Sequence, residues 1–225
     1  MNLSRFENLV GNENIKKIKK LKILIIGLGG VGGYTIESLV RSGIENITLV
    51  DDDTIKPSNI NRQLIVTTKN MNKYKTKEWK KRIKLINKDA KVNIINTRIS
   101  EENIEVVFSD NYDYIIDACD TSKVKAELIR RCHDKNIKLV SVMGTAKKID
   151  ATKLIITTLD KTNTDPLAKR LRVLLGKEKD LMKEVTVITS TEKALNVVEL
   201  GSTSYVPAVA GLLVTNYIIN DVIKK

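Results

Sequence analysis

The stretch that decides the fold is IIGLGGVGGYTIESLVRSGIENITLVDDD, residues 25–53. The apolar run at residues 21–26 predicts a buried parallel strand, and glycines then lead into a helix through about residue 42. A second apolar run, residues 47–50, predicts another strand that ends at Asp51. A strand, a glycine-rich turn, a helix and a strand ending in an acid together indicate a nucleotide-binding unit.

Strands and helices continue to alternate after this unit. We predict strands at 92–95, 114–116 and 138–142, and helices at 72–87, 100–108 and 121–135. This order is typical of an α/β fold with a Rossmann-like, doubly wound, mostly parallel sheet. After residue 143 the rhythm changes and predicts a mixed or antiparallel C-terminal extension. Its elements are more exposed strands at 154–158 and 185–189, a helix that Asp165 and Pro166 begin, a loop at 190–204 and a last apolar helix at 206–223.

Length and composition predict one domain over residues 1–225, with a nucleotide-binding half at about 1–143 and a substrate and dimer half at about 144–225. The chain has 225 residues, 42% of them hydrophobic, which argues against disorder. We expect no membrane association, because polar residues interrupt the apolar runs, and a cytoplasmic location, because two cysteines and a polar N-terminus give no sign of secretion. The net charge of +12 attracts polyanions such as nucleic acid, although solvated surface lysines give the same balance.

The glycine turn has the G-x-G-x-x-G spacing at Gly27, Gly29 and Gly32. Glycine lets the backbone approach a phosphate closely, and the N-terminus of the following helix favours its charge. Asp51 stands 19 positions beyond Gly32, where a carboxylate can hold ribose hydroxyls. These features fit NAD and ATP equally well.

The residues that follow favour a triphosphate. Arg62 stands between Asn59 and Gln63, and Lys75 opens the next predicted helix. A dinucleotide cofactor needs no such cluster of cations and amides, because the glycine turn already meets its two phosphates. A departing pyrophosphate, in contrast, must be stabilised by cations. Farther along, Asp120 follows a strand at the carboxyl edge of the sheet, where a carboxylate could hold Mg²⁺ against the phosphates.

These motifs resemble the ubiquitin-activating-enzyme superfamily, which includes the bacterial adenylyltransferases of thiamine and molybdopterin synthesis. The resemblance implies that a substrate carboxylate attacks the α-phosphate of ATP, giving an acyl-adenylate and pyrophosphate. It implies catalytic roles for Arg62, Lys75 and Asp120, with Asp120 as the Mg²⁺ ligand. The full set that it implies for nucleotide binding is Gly27, Gly29, Gly30, Gly32, Asp51, Asp53, Asn59, Arg62, Gln63, Lys75 and Asp120.

Within the superfamily the chain resembles the tRNA threonylcarbamoyladenosine dehydratases. It lacks the paired C-x-x-C motifs and the second-half cysteine of many ubiquitin-like-protein activators, and a buried thiol such as Cys119 is most often a packing residue. The most branch-specific parts are Lys161-Thr162-x-x-Asp165-Pro166-Leu167-Ala168, Ser190-Thr191-Glu192 and Pro207-Ala208-x-x-Gly211. Ala146 and Lys147 depart from the resemblance, because they replace a turn richer in glycine.

The implied substrate is a tRNA adenosine that carries a threonine carboxylate. Adenylation makes this carboxylate electrophilic, and the neighbouring urea nitrogen then closes a ring without a protein nucleophile. We predict that the tRNA phosphates contact Lys147, Lys148, Lys169, Arg170 and Arg172. The resemblance also implies a homodimer, in which Arg5 could serve the triphosphate bound by a second subunit. A sulfur-transfer protein is a possible further partner.

Three other functions stay open at the level of sequence. The chain could adenylate the C-terminal glycine of a ubiquitin-like sulfur-carrier protein. It could be an NAD-dependent oxidoreductase, which only the glycine turn supports. The least favoured alternative is a non-catalytic RNA-binding protein that senses a nucleotide.

Overall fold

The computed structural model describes residues 1–224, which form one seven-stranded sheet with helices on both faces. The strands are β1 Lys22–Ile26, β2 Asn46–Val50, β3 Lys91–Ile95, β4 Tyr114–Asp117, β5 Lys138–Val142, β6 Leu154–Thr158 and β7 Thr186–Ser190. The helices are α1 Ser4–Val10, α2 Asn12–Lys20, α3 Gly30–Arg41, α4 Lys75–Ile86, α5 Ser122–Asp134, α6 Pro166–Leu175, α7 Lys179–Glu184 and α8 Tyr205–Ile223. All seven predicted strands are confirmed to within one residue at each end.

The strand order is β3-β2-β1-β4-β5-β7-β6, and only the β6–β7 pair is antiparallel. The predicted α/β class and the predicted antiparallel extension are therefore confirmed. From β1 the chain builds outward through β2 and β3, and it then returns to place β4 and β5 on the other side of β1. This reversal opens a crevice at the carboxyl ends of β1 and β4, where ligands of such sheets bind.

Each face of the sheet carries its own apolar core. On one face the core includes Ile36 of α3, Trp79 of α4 and Val214 of α8, all fully buried. On the other face it includes Leu128 of α5 and Leu171 of α6, which are also fully buried. Helices α4 and α6 therefore lie on opposite faces of the sheet.

The last helix, α8, packs closely against α3. A Cβ on Gly211 would lie 2.4 Å from the carbonyl oxygen of Val31, so only glycine permits this approach. The hydroxyl of Thr35 donates to the Gly211 carbonyl at 3.1 Å. By length and composition alone α8 could cross a membrane, but half of its most apolar stretch is buried inside the protein. Helices of this kind also form the cores of water-soluble folds.

Several predicted elements need correction. The helix predicted at 100–108 is only a 3-10 turn, Ile104–Phe108, because the Asn103 side chain bonds the backbone of Ser100 and Arg98 and holds a turn there. The prediction that the strand at 185–189 is exposed is wrong. Strand β7 lies between β5 and β6, and four of its five residues are buried. The sequence analysis also missed α1, α2 and α7, which are short or bury few residues.

Candidate active site

A cleft of about 540 Å³ opens at the crevice between β1 and β4. All but one of the residues predicted to bind nucleotide line it: Gly27, Gly29, Gly30, Asp51, Asp53, Asn59, Arg62, Gln63, Lys75 and Asp120. The exception is Gly32, which is buried in the first turn of α3. A Cβ there would lie 1.9 Å from the carbonyl oxygen of Gly27, so Gly32 allows the turn to fold against the helix and does not face the cleft.

The glycine turn brings backbone to the floor of the cleft. Gly27 has φ of +87°, and a Cβ on it would lie 2.7 Å from the carbonyl oxygen of Ala118 on the neighbouring strand end. Helix α3 begins at Gly30, so the N–H groups of its first turn point toward the cleft without intrahelical partners. This arrangement suits a phosphate.

An acidic pair and a lysine occupy the end of β2. Asp51 accepts the backbone N–H of Leu28 at 2.6 Å and that of Asp53 at 2.7 Å. Lys75, whose side chain is only 4% exposed, lies 2.7 Å from the Asp53 carboxylate and 4.0 Å from that of Asp51. Backbone and side-chain contacts therefore fix the position of Asp51 at the strand end, as the predicted ribose-binding role requires.

The two carboxyl groups differ in their pKa. Burial raises the pKa of Asp51 above its usual value, although the charge of Lys75 acts in the opposite direction. For Asp53 burial also acts upward, but the hydrogen bond and charge of Lys75 outweigh it, so its pKa is lowered. Asp53 is thus the counter-ion that balances Lys75.

Arg62 is held at the rim of the cleft by its own loop. Its Nη1 donates to the Ser58 carbonyl at 2.9 Å and to Asn61 Oδ1 at 2.8 Å. Within residues 1–224 its Nε and Nη2 have no hydrogen-bond partner. Asn61 in turn donates to the Ser202 carbonyl at 3.0 Å, which ties this loop to the segment before α8. The guanidinium is therefore positioned with donors to spare for an anion.

Gln63 carries an unsatisfied polar atom into the same region. Its side chain is buried to 7% exposure, and its Oε1 has no hydrogen-bond partner among the described residues. A Cβ on Gly29 would lie 3.7 Å from Gln63 Nε2, so the amide stands against the glycine turn. A buried acceptor without a donor is costly, and a ligand that donates to it would remove the cost.

Asp120 is exposed at the mouth of the cleft, and no lysine or arginine of the described chain lies within ion-pair distance of it.

Beneath Asp120 is a buried network that the sequence analysis missed. Lys125 Nζ lies 2.9 Å from the Asp117 carboxylate, and both side chains are fully buried. Lys125 also donates to the Val142 carbonyl at 2.8 Å, and Ser141 donates to Asp117 at 2.7 Å. The spacing of Asp117 and Lys125 across a strand–helix turn is the only signal that the sequence carries for this pair.

Cys119 lines the cleft but is tied to the same network. Its Sγ donates to Asp117 Oδ1 at 3.0 Å, and its backbone N–H does so at 3.2 Å. Burial, and then the charge of Asp117, raise the pKa of the Cys119 thiol well above its ordinary value. A protonated thiol is a poor nucleophile, so this geometry favours the packing role expected from the sequence.

The sequence analysis also missed part of the cleft wall. Arg98 lies there, just beyond β3, and Thr145 and Ala146 line the wall after β5. Leu200 and Ser202 come from the segment before α8. A basic residue just after a parallel strand was a usable signal for Arg98, because the ends of β1, β2 and β3 share one edge of the sheet.

The five residues predicted to contact RNA do not form one surface. Lys169 and Arg170 are exposed on α6, whereas Arg172 is half-buried and bonds the Thr162 hydroxyl. Lys147 is half-buried with φ of +59°, and its Nζ donates to the carbonyl of Val197. It adopts the left-handed conformation that a glycine would take at lower cost.

Lys148 corrects the prediction outright. Its side chain is 1% exposed and lies 2.8 Å from the Asp165 carboxylate, which is equally buried. It also donates to the Gly144 carbonyl at 2.7 Å. Asp165 uses its other oxygen to cap α6 through Leu167 and Ala168. Lys148 is therefore a structural link between the end of β5 and the start of α6 and cannot reach an RNA phosphate.

This sheet and its switch-point cleft define a nucleotide-binding α/β protein of the Rossmann-like class. The model of the ThiF family matches residues 3–224, and the chain belongs to that family. A tRNA threonylcarbamoyladenosine dehydratase of Bacillus subtilis is 35% identical over 240 residues, which cover 98% of this chain and 94% of that protein.

Two further comparisons give the same relationship. A tRNA threonylcarbamoyladenosine dehydratase of Haemophilus influenzae is 42% identical over 147 residues, which cover 65% of this chain and 56% of that protein. The crystal structure of the E. coli tRNA N6-threonylcarbamoyladenosine dehydratase in complex with ATP superposes with a TM-score of 0.93 at 30% identity. That match covers 99% of this chain and 93% of the other. The resemblance drawn from the sequence motifs is confirmed.

Proposed function

We propose that this protein is an ATP-dependent tRNA threonylcarbamoyladenosine dehydratase. The observation that carries the proposal is the composition of the cleft. The cleft brings together the glycine turn, Asp51 as the acid expected to bind ribose, and the cations Arg62 and Lys75. Its one thiol, Cys119, is held protonated by its hydrogen bond to Asp117. Such a site suits adenylation of a carboxylate without a protein nucleophile.

The proposed reaction has two steps. The threonine carboxylate of the modified adenosine attacks the α-phosphorus of ATP, the bond to the β-phosphate breaks, and pyrophosphate leaves. The urea nitrogen next to the new acyl-adenylate then attacks its carbonyl carbon and loses a proton, and AMP departs with one carboxylate oxygen. Arg62 and Lys75 stabilise the charge that develops on the leaving pyrophosphate, and Asp51 holds the ribose.

We propose Asp120 as the residue that would hold Mg²⁺. Its carboxylate is exposed at the cleft mouth and carries no cationic partner among residues 1–224, which suits an ion bound by one carboxylate, phosphates and water. Bound Mg²⁺ would supply neutralisation of phosphate charge. The acids Asp51, Asp52 and Asp53 also lie close together, but Lys75 already pairs with that group.

We further propose a cytoplasmic homodimer that folds as one domain and takes tRNA as its substrate. Arg5 lies exposed on α1, a helix with no buried residue, and is available to a second subunit. A sulfur-transfer protein as a possible further partner stays a prediction.

The test is turnover of ATP with different acceptors. The protein is incubated with ATP, Mg²⁺ and either tRNA that carries threonylcarbamoyladenosine or a sulfur-carrier protein, and AMP and pyrophosphate are measured. We expect release with the modified tRNA only, and a product tRNA lighter by one water. Release with the carrier protein only would favour the adenylyltransferase alternative. Tight NAD binding without ATP turnover would favour an oxidoreductase.

The exposed part of the predicted RNA surface gives a separate prediction. Replacing Lys169 and Arg170 by alanine should weaken tRNA binding and lower the slope of log Kd against log salt by about 1 to 2, because each phosphate contact releases counterions. Fluorescence anisotropy with labelled tRNA at several salt concentrations measures both. An unchanged slope in the double variant would remove α6 from the RNA-binding surface.

A further inference from the structure

Helix α4 carries a row of lysines that the proposed active site does not use. The row, called here the α4 lysine row, consists of Lys73, Lys77, Lys80, Lys84 and Lys88. Successive members are three or four residues apart, so the three within the helix lie on one face. All five are exposed, while Trp79 and Ile83 on the opposite face are fully buried. At the rise of an α-helix the three members within α4, from Lys77 to Lys84, span about 10 Å.

The lysine row is unpaired, unlike its neighbours. Within residues 1–224 no carboxylate lies within ion-pair distance of any of its members. On the same helix Lys81 pairs with Glu78 at 2.7 Å, and Arg82 pairs with Glu37 of α3 at 2.7 Å. The positive charge of the helix is therefore balanced beside the row and left unbalanced along it, which is the pattern of a surface that meets a polyanion.

The row begins at the candidate active site. Lys75, which stands between its first two members, lines the cleft, and the Tyr74 ring beside it is 42% exposed. Lys77 Nζ lies 5.2 Å from the centre of that ring. A chain of phosphates that leaves the cleft on this side would meet one lysine on every turn of α4, and an exposed aromatic ring at the cleft end offers a stacking surface for a base.

We propose that the α4 lysine row binds the sugar–phosphate backbone of the substrate tRNA next to the nucleotide that enters the cleft. The proposal rests on the proposed function, because that function places an RNA nucleotide in the cleft. A membrane surface fits less well, since the apolar face of α4 is buried in the core and cannot insert between lipids. Because α4 and α6 lie on opposite faces of the sheet, the row is a surface separate from Lys169 and Arg170.

The test compares two triple variants with the same change in net charge. Lys73→Gln/Lys77→Gln/Lys80→Gln removes three of the five members of the row, those nearest the cleft. Lys16→Gln/Lys17→Gln/Lys20→Gln removes three exposed lysines of α2. This helix ends just before the amino end of β1, whereas the cleft lies at the carboxyl ends of the strands. Affinity for modified tRNA is measured by fluorescence anisotropy without ATP at several salt concentrations, and ATP affinity is measured by calorimetry. The charge-preserving control is Lys73→Arg/Lys77→Arg/Lys80→Arg.

We expect the α4 triple variant to bind tRNA about tenfold or more weakly at low salt, with a salt slope reduced by about 2. The α2 triple variant and the arginine variant should stay within about threefold of the original protein, and ATP affinity should not change. Equal weakening by the α4 and α2 variants would reduce the effect to net charge and overturn the proposal. Binding to phosphatidylserine vesicles is measured for the same variants. If the α4 triple variant lost vesicle binding shown by the original protein but kept its tRNA affinity, the proposal would be overturned in favour of a membrane surface.

The same series separates this proposal from the proposed function. If the original protein releases no AMP with modified tRNA but the α4 variant still loses tRNA affinity, the dehydratase assignment fails and the binding surface stands. If the original protein is active and the α4 variant keeps its tRNA affinity and its KM for tRNA, the surface fails and the assignment stands.

Discussion

Replacing Arg62 by alanine is expected to lower tRNA-dependent AMP formation by about 100- to 1,000-fold, the usual cost of removing one group that stabilises developing charge. The guanidinium stands at the cleft with one nitrogen anchored to Ser58 and Asn61, and its other nitrogens face no partner within residues 1–224. Its contribution should be greatest when pyrophosphate leaves. The kcat and kcat/KM of the reaction should therefore fall together.

Steady-state assays with modified tRNA measure this effect, and Asp120→Ala should give a comparable loss. Arg41→Ala is the matched control, because Arg41 is an exposed arginine on α3 that pairs with Glu37. Thermal unfolding and the circular dichroism spectrum should show that the Arg62 variant is folded. Activity of the Arg62 variant at the level of the Arg41 control would exclude Arg62 from the reaction.

The second large effect concerns stability. Replacing Lys125 by methionine keeps much of the side-chain volume but leaves the fully buried Asp117 carboxylate without its counter-ion. Removing one partner of a buried ion pair costs about 3–5 kcal/mol in the free energy of unfolding. Because the whole free energy of unfolding of a domain is only about 5–15 kcal/mol, this variant should be strongly destabilised. Urea denaturation followed by circular dichroism measures the change.

Two further variants identify the cause. Lys123→Met changes a lysine on the same helix that is 66% exposed and pairs with Glu101 at 3.6 Å, and it should cost less than about 1 kcal/mol. Lys125→Met/Asp117→Asn removes both charges and keeps an acceptor for Ser141, so it should be more stable than Lys125→Met alone. If the double variant were no more stable than the single one, an uncompensated charge would not be the cause of the loss.

Local patterns predicted the nucleotide-binding half well. The strand, glycine turn and helix over 25–53 depend on contacts between residues close in the chain, and β1, α3 and β2 formed where the pattern placed them. The corrections arose where distant segments decide. Gly32 matches the motif but packs against Gly27, and β7 is buried because it inserts between β5 and β6. Apolar spacing alone does not reveal which neighbours a strand acquires.

The sequence by itself determined the class of fold and the family, and nearly all of the residues that it predicted to bind nucleotide do line the cleft. The reason is that a glycine turn and strand-end acids converge on one edge of a parallel sheet. Only the tertiary structure decided which charged side chains are available to a ligand. Lys148 forms a buried ion pair with Asp165, and Lys125 forms one with Asp117. The α4 lysine row, in contrast, has no carboxylate partner in the described chain. A side chain's charge is written in the sequence, but its counter-ion and its exposure depend on what folding brings beside it.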